Sequence, residues 1–276
     1  MTIRIGLLGA DGNMGQMIAR IGFQQADMQF THAYTISNSP NIGKDLGLLI
    51  GQKATGVVLK DTDQIGSDLK LNRPDIIIDF TAAPATEKYA PIILQAGVPM
   101  VIGTTGLKAG FTEQIQTIIE EKKISVVKAT NMATGVNIFF KIAAEIAKKV
   151  SDWDIEIIEA HHHRKKDAPS GTAMTTAEKI AEAINVALDD VAKYGRDKGM
   201  NPRKIGKEEI GIHSIRAGDI VGEHTVIYAG NGERIELTHR AHSRECFASG
   251  SITAARFLYN NKEKGKIFSM QEVLGL

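Results

Sequence analysis

Two folded units are predicted for this chain of 276 residues, one built on a parallel sheet and one mixing strands with helices. Three observations predict them. Short apolar runs rich in Ile and Val alternate with helix-length segments over the first 130 residues. A glycine-rich turn, GADGNMG, follows the first of those runs directly. After Asn131 the texture changes to a long amphipathic segment and then clustered strands. Strand–helix alternation with strands apolar on both faces reads as a covered parallel sheet of the Rossmann type, and the later cluster as an α+β domain with a mixed sheet.

In order along the chain, 3–8 is an apolar strand, and a helix follows through Met14, Ile18, Ile21 and Gly22. A second strand ends near Tyr34, and further strands are expected at 75–80, 98–103 and 124–128, with helices at 85–96 and 111–121 between them. The segment 136–150 is expected to be a helix with Ile138, Ile142, Ile146 and Val150 on one face and Lys141, Lys148 and Lys149 solvated. A strand at 153–160, a helix at 172–187 and strands at 209–216, 221–229 and 234–239 follow. Asn231-Gly232 marks a hairpin between the last two. The final helix spans 243–261. The expected division is 1–130, rejoined by 241–276, for the first domain and 131–240 for the second.

Composition narrows the function classes. A formal net charge of +1 argues against a general nucleic-acid binder. The only cysteine, Cys246, rules out an intrachain disulfide framework and a Cys-rich zinc site, and is read as a packing residue. No apolar run approaches the ~20 residues that span a bilayer, and the first strand begins after MTIR with no room for a signal peptide. The chain is therefore expected in the cytoplasm, away from membranes.

The turn Gly9-Ala10-Asp11-Gly12-Asn13-Met14-Gly15 stands between strand and helix, the context of a dinucleotide fingerprint. Gly9 permits the tight turn, Gly12 admits the pyrophosphate, Gly15 allows close helix–strand packing, and the helix N-terminus faces the phosphates. The end of the second strand, Tyr34-Thr35-Ile36-Ser37-Asn38-Ser39, lacks the usual ribose-binding acid. Its hydroxyls, Thr35 among them, are read as ligands for a 2′-phosphate. NADPH is favoured on that ground, with NADH also accepted.

The second chemical signal is Glu159 to Ala173, EAHHHRKKDAPSGTA. Only two of its three histidines share a strand face and no acidic cluster accompanies them, so no metal is expected. A solvated basic loop is one alternative. The functional reading is an anion site: Ser170, Gly171 and Thr172 at a helix start offer N–H groups and hydroxyls to a carboxylate. Lys165 adds a compact positive charge, and histidine is a proton donor with a pKa near ~6.5.

This string resembles the signature of the 4-hydroxy-tetrahydrodipicolinate (dihydrodipicolinate) reductase family of the diaminopimelate–lysine pathway. The resemblance extends through Met14-Gly15, Asp79-Phe80-Thr81, Gly103-Thr104-Thr105-Gly106, Gly135-Val136-Asn137 and the run from Arg216 to His224, RAGDIVGEH. It implies an NAD(P)H-dependent reductase acting on a small cyclic dicarboxylate, with loss of water. It implies His161 as general acid, Lys165 as the assisting lysine, and His162, Ser170, Gly171, Thr172 and Arg244 around the substrate. It implies Gly103, Thr104 and Thr105 in the loop close to the nicotinamide, Ala129, Thr130, Asn131 and Met132 at the cofactor–substrate junction, and Phe80 among the cofactor-binding residues. A homotetramer joined through the second-domain sheets is also implied. His163 and Lys166 fall in variable slots. Asn13 stands where the family commonly has arginine, and Met132 where an aromatic residue is frequent; both bear on cofactor preference. An amino-acid dehydrogenase sharing the Rossmann half, or a non-catalytic NADP sensor, explains the glycine turn and leaves DAPSGTA and RAGDIVGEH without purpose.

Overall fold

A computed structural model describes residues 2–203 and 209–276. The chain forms two compact units, one running to Thr134 and resumed by Glu245–Leu276, the other Gly135–Arg244. The divisions fall four residues beyond those expected, because each lies at the start of a helix that belongs to the unit after it.

The first unit contains β1 (Ile3–Leu8), α1 (Asn13–Gly22), β2 (Met28–Thr35), α2 (Leu46–Leu49), β3 (Leu59–Asp61), α3 (Ile65–Leu71), β4 (Ile76–Asp79), α4 (Ala83–Gln95), β5 (Met100–Ile102), α5 (Phe111–Lys122) and β6 (Val126–Lys128). The second contains nearly all of α6 (Thr134–Lys149), then β7 (Asp154–His161), α7 (Gly171–Ala183), α8 (Leu188–Val191), β8 (Ala192–Tyr194), β9 (Ile210–Arg216), β10 (Gly222–Ala229) and β11 (Arg234–Ala241). The chain ends in α9 (Glu245–Asn261), β12 (Ile267–Phe268) and α10 (Met270–Leu274), back in the first unit.

The first unit is a seven-stranded parallel sheet in the order β12-β6-β5-β4-β1-β2-β3. Alternate residues of one strand enter opposite cores: Ile76 and Ile78 pack with α1 and α9, while Ile77 packs with α4 and α5. Burying both faces is what makes these strands continuously apolar, each Ile or Val contributing about 1.5–3 kcal/mol. From β1 the chain builds outward through β2 and β3, then returns to the other side of β1 as β4. That reversal opens a crevice past the carboxyl ends of β1 and β4, where ligands bind in such sheets.

The second unit carries a five-stranded sheet, β11-β10-β7-β9-β8, parallel between β7, β9 and β8 and antiparallel between β7, β10 and β11. Asn231-Gly232 sits in the β10–β11 hairpin, with Gly232 at φ +84°. Tyr228 of β10 is fully buried and its hydroxyl donates to Ala143 O of α6 at 2.7 Å. The opposite sheet face, including Ile158 and Ile227, stays half exposed.

α6 buries a different stripe from the one expected. Val136, Phe139, Phe140, Ala143 and Ala147 are buried, while Ile138 and Ile142 are about 40 % exposed. Residues four apart drift ~40° per step on a 3.6-residue helix, so an isoleucine row at that spacing leaves the contact face. The mixed three- and four-residue spacing of the buried set stays on it. The elements missing from the sequence reading (β3, β8, β12 and the short helices α2, α3, α8 and α10) have two to seven residues. That is too short for periodicity to show. Among the described residues no helix is long and apolar enough to cross a membrane.

Candidate active site

Strand register gathers the cofactor candidates of the first unit. Leu8 lies beside Tyr34 and Asp79, Asp79 beside Ile102, and Ile102 beside Lys128. The next residue of each strand therefore falls on one edge: Gly9, Thr35, Phe80, Gly103 and Ala129. The glycine turn fits a dinucleotide. Gly9 has φ +73°, and a Cβ on Gly15 would stand 2.1 Å from Gly9 O, so only glycine lets α1 start this close to β1. Gly12 caps α1 in extended conformation with no side-chain cap, and Gly12 and Asn13 are exposed. An uncapped helix N-terminus of this kind accepts an anion. Met14 packs against the core.

Beneath the Gly103–Thr105 loop, Asp79 is fully buried. Its carboxylate accepts from Thr81 Oγ1 and Thr86 Oγ1, both at 2.7 Å, and Thr104 Oγ1 lies within hydrogen-bond reach of Thr86 Oγ1 at 2.8 Å. Burial pushes the Asp79 carboxyl up against the pull of these donors. The network pins Thr104 and leaves Thr105 exposed. Phe80 packs directly over Gly103, where a Cβ would stand 2.3 Å from its ring. Ala129 N donates to Ile102 O, and Asn131 Oδ1 accepts from Ala133 N at 2.9 Å. Thr130 lies between these two anchors. Met132 is buried in the core, so its side chain lines no surface of the loop.

The hydroxyls expected to hold a 2′-phosphate are committed elsewhere. Thr35 Oγ1 and Ser39 Oγ each donate to the Asp11 carboxylate at 2.5 Å, and Asn41 Nδ2 reaches it at 3.3 Å. Ser37 Oγ donates to Asp61 at 2.9 Å. Asp11 thus holds its carboxylate against the end of β2.

In the second unit, the carboxyl end of β7 and the turn before α7 form one polar core. Glu159 is fully buried. It accepts from His161 Nδ1 at 2.6 Å, from Ser170 N at 3.0 Å, and from both guanidinium nitrogens of Arg216 at 2.7 and 2.8 Å. Burial opposes its charge, but the His161 and Arg216 hydrogen bonds win and hold Glu159 well below the usual carboxylate range. Arg216 also donates to Asp167 O at 2.7 Å, tying down the 162–170 loop. Register explains the convergence: His161 pairs with Arg216, and Glu159 with His224.

His161 Nδ1 is spoken for by Glu159, which fixes the tautomer and leaves Nε2 as the working nitrogen. A Cβ on Gly222 would approach that Nε2 to 3.2 Å. His224 stacks edge-on to His161, 5.2 Å between centroids. Its Nε2 lies 3.1 Å from Ser170 Oγ. Its Nδ1 is buried without a hydrogen-bond partner, and burial pushes its pKa down to about 3. Sequence reading had singled out none of Glu159, Arg216 and His224 as site residues, although all three lie within the quoted motifs.

Ser170 departs from its expected place. It is buried, its N–H goes to Glu159, and its hydroxyl accepts from Ala173 N at 3.1 Å as the N-cap of α7. It builds the turn. Gly171, exposed and with open space where a Cβ would stand, and Thr172 form the accessible part of that turn. Lys165 Nζ stands 2.9 Å from Asp167 Oδ1. His162 has its pKa lowered by burial first and then by Arg164, Arg244, His161 and Lys165, which places Arg244 in the same electrostatic neighbourhood. His163 turns toward the loop after β9, its N–H donating to Gly218 O at 3.2 Å. Among the described residues no group of three or more His, Cys, Asp or Glu is placed to hold a metal ion.

A Rossmann-type sheet with an uncapped glycine turn, joined in one chain to a buried carboxylate–histidine pair ringed by cations, defines a nicotinamide-dinucleotide-dependent oxidoreductase. Family models described as dihydrodipicolinate reductase, N-terminus and C-terminus, match residues 3–132 and 135–274. The chain belongs to the dihydrodipicolinate reductase family. It is 47% identical over 274 residues to the 4-hydroxy-tetrahydrodipicolinate reductase of Methanocaldococcus jannaschii, covering 99% of this chain and 98% of that one. The Methanosarcina barkeri enzyme of the same name is also 47% identical, over 99% and 100% of the two chains. A dipicolinate-bound dihydrodipicolinate reductase from a Paenisporosarcina species superposes with TM-score 0.74 at 25% identity, over 99% of both chains. An amine dehydrogenase from Mycobacterium smegmatis shares the fold, with TM-score 0.61 at 13% identity over 95% of this chain and 94% of that one.

Proposed function

We infer that the chain catalyses the nicotinamide-dependent reduction of 4-hydroxy-tetrahydrodipicolinate to tetrahydrodipicolinate, with release of water, in diaminopimelate and lysine biosynthesis. The observation that carries this reading, beside family membership, is the buried Glu159–His161–Arg216 cluster next to the exposed turn of α7. It supplies a proton donor of fixed orientation beside a site for anions.

Gly9 to Gly15, Phe80, Gly103 to Thr105 and Ala129 to Asn131 are the residues assigned to hold the cofactor. When bound there, the nicotinamide supplies the hydride. Hydride addition to a conjugated imine moves electron density toward the nitrogen end, and His161 delivers the balancing proton from Nε2. Glu159 offsets the positive charge of the imidazolium while Arg216 and Ser170 N hold Glu159 in place. Lys165 exchanges its Asp167 partner for a substrate carboxylate. The N–H groups of Gly171 and Thr172 take another carboxylate, and Arg244 and His162 complete the basic surround. The half-exposed face of the second sheet supports the reading of a homotetramer, which light scattering of the purified protein tests.

The deciding assay feeds purified protein with substrate made in situ by the preceding synthase and follows oxidation of NADH and NADPH. Substrate-dependent oxidation that collapses in His161→Ala supports the assignment. Absence of oxidation with both cofactors overturns it.

A further inference from the structure

The end of β2 is where this fold reads the adenosine ribose, through an acid on its hydroxyls or a cation on its phosphate. Here no acid stands on the strand itself. The glycine turn is clamped to β2 by Ala10 N donating to Tyr34 O at 2.9 Å, and the next residue, Asp11, hangs its carboxylate over the strand end.

Three features give that carboxylate a direction of choice. A hydroxyl has one proton to donate, and those of Thr35, Ser37 and Ser39 all go to carboxylates: Asp11, Asp61 and Asp11 respectively. A phosphate arriving there meets spent donors. Second, Asp11 is held below the usual carboxylate range: partial burial opposes its charge, but the Ser39, Thr35 and Asn41 hydrogen bonds outweigh it. It is an anion at neutral pH. Third, the side-chain donors of Thr35, Ser39 and Asn41 fix the carboxylate over the strand end, where an ordered acceptor meets a ribose hydroxyl. The nearby cation Lys44 is drawn to Asn41 Oδ1 at 2.8 Å, and Lys60 to Asp68 at 2.9 Å.

We propose that Asp11, from within the glycine turn, is the residue that selects NADH over NADPH, accepting a hydrogen bond from the ribose and repelling a 2′-phosphate. The proposal rests on the first unit binding a nicotinamide dinucleotide, as proposed above. It replaces the expectation that the β2 hydroxyls favour NADPH.

The test is the dissociation constant of each reduced cofactor, by calorimetry on the full-length protein, with kcat/KM alongside. Wild type should bind NADH tighter on the order of tenfold or more, as like charges a few ångströms apart near a surface require. Added salt should narrow the gap by screening. In Asp11→Asn the NADPH-to-NADH ratio of dissociation constants should fall toward one. A turn-clamping role alone would weaken both cofactors together and leave the ratio unmoved; that result overturns the proposal. So does a wild-type preference for NADPH, which needs no variant to read. Binding of neither cofactor removes the dinucleotide reading itself, a separate and recognisable failure. Lys44→Ala should leave the ratio unchanged, and selective loss of NADPH binding there would count against Asp11.

Discussion

Replacing Glu159 by Gln changes one atom and removes a charge at the centre of the buried polar core of the second unit. Both Glu159 oxygens accept two hydrogen bonds, Oε1 from Arg216 and Ser170 N, Oε2 from Arg216 and His161 Nδ1. An amide has one accepting end, so either orientation points its NH2 at an Arg216 donor. If the NH2 takes the Oε2 position, it also faces His161 Nδ1 and forces the proton to Nε2. Breaking one partner of a buried ion pair costs about 3–5 kcal/mol, and Arg216 Nε already lacks a hydrogen-bond partner. Loss of an oriented acid–base group costs roughly a hundred- to ten-thousand-fold in rate. The expected E159Q protein is folded but less stable in urea. Its kcat falls by at least the lower figure, its pH profile shifts, and its cofactor affinity is near native. Glu159→Asp, which keeps the charge, should recover part of the rate. An E159Q enzyme with native turnover and an unaltered pH profile would refute the reading of Glu159 as the group that orients His161.

Three further outcomes are expected. Lys165→Ala should raise KM for the dicarboxylate and lower kcat while leaving the dissociation constant of the cofactor unchanged, since Lys165 and the glycine turn lie in different units; lost cofactor binding would contradict the assignment. Gly15→Ala places a methyl 2.1 Å from Gly9 O and should destabilise the first unit by about 3 kcal/mol or more while abolishing dinucleotide binding, read by thermal melting with and without cofactor. His224, nearly fully buried with its pKa at about 3, stays neutral where the unfolded chain, with a histidine near ~6.5, takes up a proton. Stability should therefore fall as pH drops below ~6.5, by about 2 kcal/mol between pH 7 and pH 5. Glu159, held below the usual carboxylate range, loses its stabilisation as pH falls from the ordinary carboxylate range downward, so it contributes little in that window. Urea midpoints of wild type and His224→Asn at both pH values isolate the effect; parallel changes in the two proteins would remove His224 as its source.

The residues in sequence determined the class of both units. Continuous Ile/Val runs can form strands only if both faces are buried, and that physical demand made the parallel sheet legible without coordinates. The glycine turn was legible because Gly9 and Gly15 answer local backbone and contact requirements, and EAHHHRKKDAPSGTA because anion chemistry concentrated in fifteen consecutive residues. Tertiary structure decided what depends on separations of dozens of residues. Glu159 meets Arg216 across 57 positions, and Ser170 meets His224 across 54, because β9 and β10 flank β7. Pairing partners of that kind carry no local signal. Asp11, read in the sequence as one member of a phosphate turn, has its carboxylate held at the end of β2 because β1 and β2 lie side by side. The helix of 134–149 shows the same limit: two apolar stripes were written on it, and only the neighbouring sheet chose between them.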